Sequence, residues 1–213
     1  MTADRPRRGR DEIAAMIAAD IPTGSVVNLG IGAPTLIGDH LRPEQAVTLH
    51  TENGMLGMGP LAREGEQDPD LINAGKQFVT ELPGAAYFHH ADSFAMMRGG
   101  HLDYSVLGAY QVSVTGDLAN WSTGEPGAIP AVGGAMDLAV GARHTLVMMD
   151  LFTRDGRPKL VERCSYPLTG LACVSAVYTD HGVFEITPDG VRARDLVGFT
   201  HAELEDVLGL PLG

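Results

Sequence analysis

Thr51-Glu52-Asn53-Gly54 presents a carboxylate at the end of a strand pattern, with a sharp turn directly behind it. The apolar run Ala46-Val47-Thr48-Leu49-His50 leads into Glu52, and Asn53-Gly54 can reverse the chain with positive φ. A carboxylate held by rigid backbone at a loop mouth is placed where α/β proteins carry out their chemistry. The same residues also fit an ordinary solvated turn, so the rest of the chain has to decide.

Two further stretches could position partners for Glu52. Ser25-Val26-Val27-Asn28-Leu29 reads as a buried strand, followed by Gly30-Ile31-Gly32-Ala33-Pro34 and a helix from Thr35 to Leu41. Strand, glycine loop and helix N-terminus together aim backbone amides at an anion or carbonyl oxygen, although the third glycine of a dinucleotide fingerprint is missing. Pro126 to Pro130 leads into Ala131-Val132-Gly133-Gly134-Ala135-Met136-Asp137-Leu138, whose paired glycines open a second helix and form a second amide cradle or a close-packed loop. Asn73, in Leu71-Ile72-Asn73-Ala74-Gly75-Lys76, fits a site polar group or a turn residue equally.

The elements that carry these stretches follow from periodicity and punctuation. A packing helix is expected from Asp11 to about Ala19, with Asp11 as its cap and Ile13, Met16 and Ile17 at helical spacing. Strands are expected at Phe78-Val79-Thr80, at Ala85-Ala86-Tyr87-Phe88 and along Leu102 to Val112, with a helix from Ala91 to Arg98 stopped by Gly99-Gly100. Thr145 to Met149, Val174 to Tyr178 and Val183 to Ile186 read as strands, and Arg154-Asp155-Gly156 as a hairpin turn into Lys159-Leu160-Val161. Trp121 reads as a packing anchor, and Thr200-His201-Ala202-Glu203 is a capping box for a last helix.

With 213 residues, 44% of them hydrophobic, the chain can bury one domain's core, 1–213, behind a flexible arginine-rich head at 1–10. A net charge of −12 excludes a general basic face for nucleic acid or an anionic membrane, and no apolar run is long enough to span a bilayer. An anionic ligand would therefore need local cations or amide dipoles. Cys164 and Cys173 are read as buried thiols rather than a disulfide, and His89, His90 and His101 lack metal-ligand spacing, so no metal is expected. These features fit a cytoplasmic protein.

Asn28-Leu29-Gly30-Ile31-Gly32, Thr51-Glu52-Asn53-Gly54, Asp70 to Lys76 and Gly133 to Leu138 together resemble the B (beta) chain of the 3-oxoacid coenzyme A-transferases. Ala91 to His101, Gly116-Asp117-Leu118-Ala119-Asn120-Trp121 and Tyr166-Pro167-Leu168-Thr169-Gly170 agree in the same order, so the resemblance spans nearly the whole chain. Tyr87 to Asp92 and Ile129 to Gly134 look most like the 3-oxoadipate branch, with acetoacetate-using relatives as the alternative. Thr51 stands where many relatives carry serine, and Asp150-Leu151 lacks a histidine expected near that point.

The resemblance implies an α/β fold, an open and largely parallel sheet flanked by helices, similar to that of sugar-phosphate isomerase relatives. It implies that Glu52 attacks succinyl-CoA and later carries CoA as a glutamyl thioester, which a 3-oxoacid discharges. Asn28, Gly30, Gly32, Asn53, Gly54, Asn73, Gly133 and Gly134 are then the substrate-binding and oxyanion candidates. CoA is substrate rather than cofactor, and a CoA-transferase A (alpha) subunit is the partner, in an A2B2 assembly. A sugar-phosphate isomerase using Glu52 as a base, and a non-catalytic protein whose cleft binds a small anion, are the competing readings.

Overall fold

A computed structural model describes residues 5–124 and 131–213. The expected lead-in at Pro126 to Pro130 and the Ile129-Pro130 part of the branch motif lie outside the described residues.

The chain opens with helix α1, Arg10–Asp20, which buries Ile13, Ala14, Ile17 and Ala18. Its cap is Gly9 rather than Asp11, because the Glu12 carboxylate reaches back to accept the Gly9 N–H at 2.6 Å. Strands β1 (Val26–Leu29), β2 (Thr48–Thr51), β3 (Met55–Leu61) and β4 (Val79–Tyr87) follow, then helix α2 (His90–Arg98) and β5 (Tyr104–Leu107). Next come β6 (Gln111–Ser113), β7 (Leu118–Ala119), helix α3 (Ala135–Gly141), β8 (His144–Met148) and β9 (Leu160–Val161). Strands β10 (Val174–Tyr178), β11 (Val183–Thr187) and β12 (Gly190–Arg194) precede the final helix α4, His201–Leu208.

Nine strands form one sheet in the order β12-β11-β10-β8-β5-β1-β2-β3-β4. The central strands β10, β8, β5, β1 and β2 are parallel, and antiparallel hairpins close both ends. Parallel strands must be covered on both faces. Alternation along them feeds two cores: Val27, Leu49, Val106, Leu146 and Met148 pack with Ile13 and Ile17, whereas Leu107, Val147 and Val177 pack with Leu138, Phe184 and Leu204. A small sheet, β7-β6-β9, adds Val112, Leu118 and Leu160 to the second core.

Several expected elements differ. The two strands expected around Leu82-Pro83-Gly84 are one edge strand, β4, because an edge tolerates both a proline and the positive φ of Gly84 (+90°). The stretch from Leu102 to Val112 divides into β5 and β6, which belong to different sheets. The helix expected at Thr35 is a 3-10 helix, Ala33–His40. The head is held from Arg5 onward: Arg5 pairs with Glu203 at 3.0 Å and stacks on Phe199, and the Arg8 N–H donates to Asp180 O. No helix of the described residues is long and apolar enough to cross a membrane.

Candidate active site

Strands β1 and β2 run side by side with Asn28 opposite His50, so their C-terminal ends carry the chain to the same edge of the sheet. Glu52 follows the last residue of β2, and the turn to β3 is closed by Gly54 N–H to Thr51 O at 3.1 Å. The Thr51 hydroxyl accepts the Met55 N–H at 3.0 Å, a bond that serine could also make. Gly54 has φ +115°, and a Cβ there would run into Phe88 O, whose residue returns its own N–H to Gly54 O. Only glycine meets both demands. Asn53 is exposed, but its side chain donates to Ile72 O at 2.8 Å and ties the turn to the 71–76 loop.

The Glu52 carboxyl lies against Gly134, a buried residue that caps α3. A Cβ on Gly134 would overlap Glu52 Oε2 and stand 2.6 Å from its Cδ. The loop is glycine here because its backbone touches the acid. Gly133 takes φ +55° in open space. A cleft of about 290 Å³ opens on this contact, lined by Asn28, Gly30, Glu52, Asn120, Gly133 and Gly134 among others. Burial pushes the Glu52 pKa above the ordinary glutamate value; His90 opposes the shift and Asp137, paired to Arg98 at 2.6 Å, adds to it.

Other candidate donors are already engaged. The Gly30 N–H donates to Val106 O at 2.8 Å, so it belongs to the sheet and is not free for an oxyanion. Gly32, with φ +95°, is exposed and its carbonyl accepts from Thr35. Asn28 points its amide at His50, donating to His50 O at 3.1 Å and to Nδ1 at 3.0 Å, so both hydrogens expected near Glu52 are used elsewhere. Asn73 is buried, but it brackets Gln77 through side chain and backbone in a turn.

His50 is a site residue that the sequence reading misses. It is buried, pairs Nε2 with Ser93 Oγ at 3.0 Å, and Ser93 donates on to Thr51 O at 3.2 Å. With Nδ1 accepting from Asn28, Nε2 carries the proton, and burial lowers the ring's pKa to about 4, which keeps it neutral. A signal exists in the sequence: Asn28 and His50 are polar residues in otherwise apolar strands. His89 instead caps α2 by accepting the Ala91 N–H, and His90 packs edge-on to Phe94. Cys164 and Cys173 are unbonded, and burial pushes both thiols up to about 11. A larger hollow of about 800 Å³, bordered by Arg143, Glu162, Cys173 and Leu210, lies away from Glu52 and does not include the strand ends that carry it.

The sequence profile of the coenzyme A transferase family matches residues 10–199. The B chain of 3-oxoadipate CoA-transferase from Pseudomonas putida is 61% identical over 204 residues, covering 95% of each chain. The human mitochondrial succinyl-CoA:3-ketoacid coenzyme A transferase 2 is 46% identical over 186 residues, 86% of this chain and 36% of that one. Among solved structures, glutaconate coenzyme A-transferase from Acidaminococcus fermentans matches with a TM-score of 0.71 at 17% identity, over 98% of this chain and 87% of that one. The acyl-CoA transferase YdiF from Escherichia coli O157:H7 matches with a TM-score of 0.72 at 17% identity, over 96% of this chain and 41% of that one. A presented glutamate at the strand ends thus coincides with a match along almost the entire chain, and this protein is an enzyme belonging to the coenzyme A transferase family.

Proposed function

We propose that the chain transfers CoA from succinyl-CoA to a 3-oxoacid, with 3-oxoadipate the preferred acceptor, through a glutamyl-CoA thioester on Glu52. The Glu52 oxygen attacks the succinyl thioester carbonyl, releasing CoA thiolate and leaving a succinyl-glutamyl anhydride. The thiolate then attacks the glutamyl carbonyl, forming the thioester and releasing succinate. The 3-oxoacid carboxylate repeats these steps in reverse and leaves as its CoA ester. A carboxylate suits this exchange because an anhydride or thioester retains the activation of the acyl group, whereas a serine ester would lose much of it.

The observation that carries the proposal is the partly desolvated Glu52 carboxyl in contact with Gly134 at the cleft floor. Removal from water raises its basicity and limits hydrolysis of the acyl intermediates. Amides at Gly133 and Gly134 are the oxyanion donors nearest the reacting carbon, since Gly30 and Asn28 are engaged. The 3-oxoadipate preference follows the 61% identity to the Pseudomonas putida chain against 46% to the human 3-ketoacid enzyme. That Pseudomonas putida relative is named as one of two kinds of chain, which supports an A (alpha) partner here, with A2B2 as the proposed assembly.

Intact-mass analysis of the chain, assembled with its alpha partner and incubated with succinyl-CoA alone, tests the mechanism. A CoA adduct mapped to Glu52, discharged faster by 3-oxoadipate than by acetoacetate, is expected. An assembled complex that turns over substrate without ever carrying the adduct would rule out the glutamyl route.

A further inference from the structure

The parallel strands line up their C-terminal ends in the order β2, β1, β5, β8, β10. Glu52 leaves the first of them, and its cleft passes Gly30 after β1 and Gly108 after β5. Gly108 also borders a second hollow, about 230 Å³, lined by Arg10, Ala33, Met149, Asp150 and Lys159. The two hollows therefore adjoin along one rim. Gly108 leaves that rim open, since a Cβ there would meet nothing within 4 Å.

The second hollow holds two cations without a salt-bridge partner. Neither Arg10 nor Lys159 forms an ion pair among the described residues, whereas Arg5, Arg98, Arg143, Arg157 and Arg194 all do. Burial depresses the Lys159 pKa; Asp150 and Asp180 oppose the shift, and Arg10 adds to it, so the two cations are close enough to repel. Of the two carboxylates, Asp180 is engaged, accepting the Leu151 N–H at 2.8 Å, which leaves Asp150 as the one opposing charge lining the hollow. One strand further along, Arg8 is bound through its backbone to Asp180 O, and its Nη1 is a buried donor without a hydrogen-bond partner. Holding cations together and partly out of water is costly unless an anion joins them. In a chain of net charge −12, such a cluster is a local exception.

The cluster also lies at a telling distance from Glu52. From β2 to β8 is three strand spacings, about 14 Å. In CoA the sulfur is separated from the nearer phosphorus by about thirteen bonds, about 15 Å when extended. We propose that Arg10 and Lys159 seat the diphosphate of the acyl-CoA whose thioester meets Glu52, with the pantetheine arm lying across Gly30 and Gly108. The inference rests on the transferase reading of Glu52 and adds to it where the nucleotide end is held. Each cation contributes charge-assisted hydrogen bonds to phosphate oxygens that the acyl group never touches.

The test compares succinyl-CoA with succinyl-pantetheine, which keeps the thioester and lacks the phosphates, using the chain assembled with its alpha partner. Arg10→Gln and Lys159→Met are each expected to raise KM for succinyl-CoA about tenfold. Both should leave kcat/KM for succinyl-pantetheine unchanged, and Lys159→Arg should restore most of the loss. An equal change for both substrates, or no change for either, overturns the diphosphate seat while leaving the glutamyl mechanism intact. If Lys159→Met fails to fold, Arg10→Gln and Lys159→Arg still decide. A wild-type complex that forms no Glu52 adduct from either thioester overturns the transferase reading, and the seat with it.

Discussion

Replacing Gly134 with alanine isolates the contact between the α3 entry loop and the acid. The residue sits at φ −76°, ψ −4°, which alanine adopts freely, so the substitution adds no backbone strain. Its Cβ would lie 2.6 Å from Glu52 Cδ, where two carbons prefer about 3.5–4.0 Å, so the carboxyl must retreat by about 1 Å. A misplacement of that size costs about 100-fold in rate when the reacting geometry is otherwise fixed, equivalent to about 2.7 kcal/mol of barrier. Stability should change little, because the displaced side chain can move into the open cleft. The assay is kcat for CoA transfer by the assembled enzyme beside thermal unfolding of the same preparation. Activity within threefold of wild type at unchanged melting temperature would refute the reasoning, since Glu52 would then not depend on the space that glycine leaves.

Three other perturbations follow from the same geometry. Ionisation of Glu52 is shifted above the ordinary glutamate value of 4.5, so the acid limb of the rate profile should lie above that pH; Asp137→Asn should move it down, and an upward movement would contradict the assigned cause. His50→Ala leaves Asn28 and Ser93 without partners and should cost roughly 2–4 kcal/mol in urea unfolding, whereas His50→Gln, with one acceptor and one donor, should keep most of it. The native ring titrates at about 4 against 6.5 when unfolded, so the unfolded chain binds the extra proton between those values and stability falls as pH drops through that window, by roughly 3 kcal/mol at most. The Gln variant should lack that loss, and parallel stability curves for the two proteins would remove His50 as its source. Gly54→Ala combines a strained φ of +115° with a clash at Phe88 O and should destabilise by roughly 3 kcal/mol, measured by chemical unfolding.

The strands legible in the sequence are those whose side chains face buried layers, such as Val26–Leu29 and Val174–Tyr178, because burial on both faces demands a continuous apolar run. Edge strand β4 reads as two strands because its pattern is mostly exposed and its Pro83-Gly84 interruption is harmless where one side has no neighbour. The split at Gly108 is equally hidden, since β5 and β6 share one composition and differ only in the sheet they join.

Local chemistry was enough to present Glu52 on a tight Asn-Gly turn at a strand end and to offer two glycine loops that could approach it, because turn preference and glycine's freedom belong to the residues themselves. Which glycine touches the acid, and which donors remain free, was settled by long-range packing. Gly30 and Asn28 are consumed by Val106 and His50, partners 76 and 22 residues away that the parallel register brings alongside. Hydrogen-bond capacity is finite, and how it is allotted depends on which strands become neighbours.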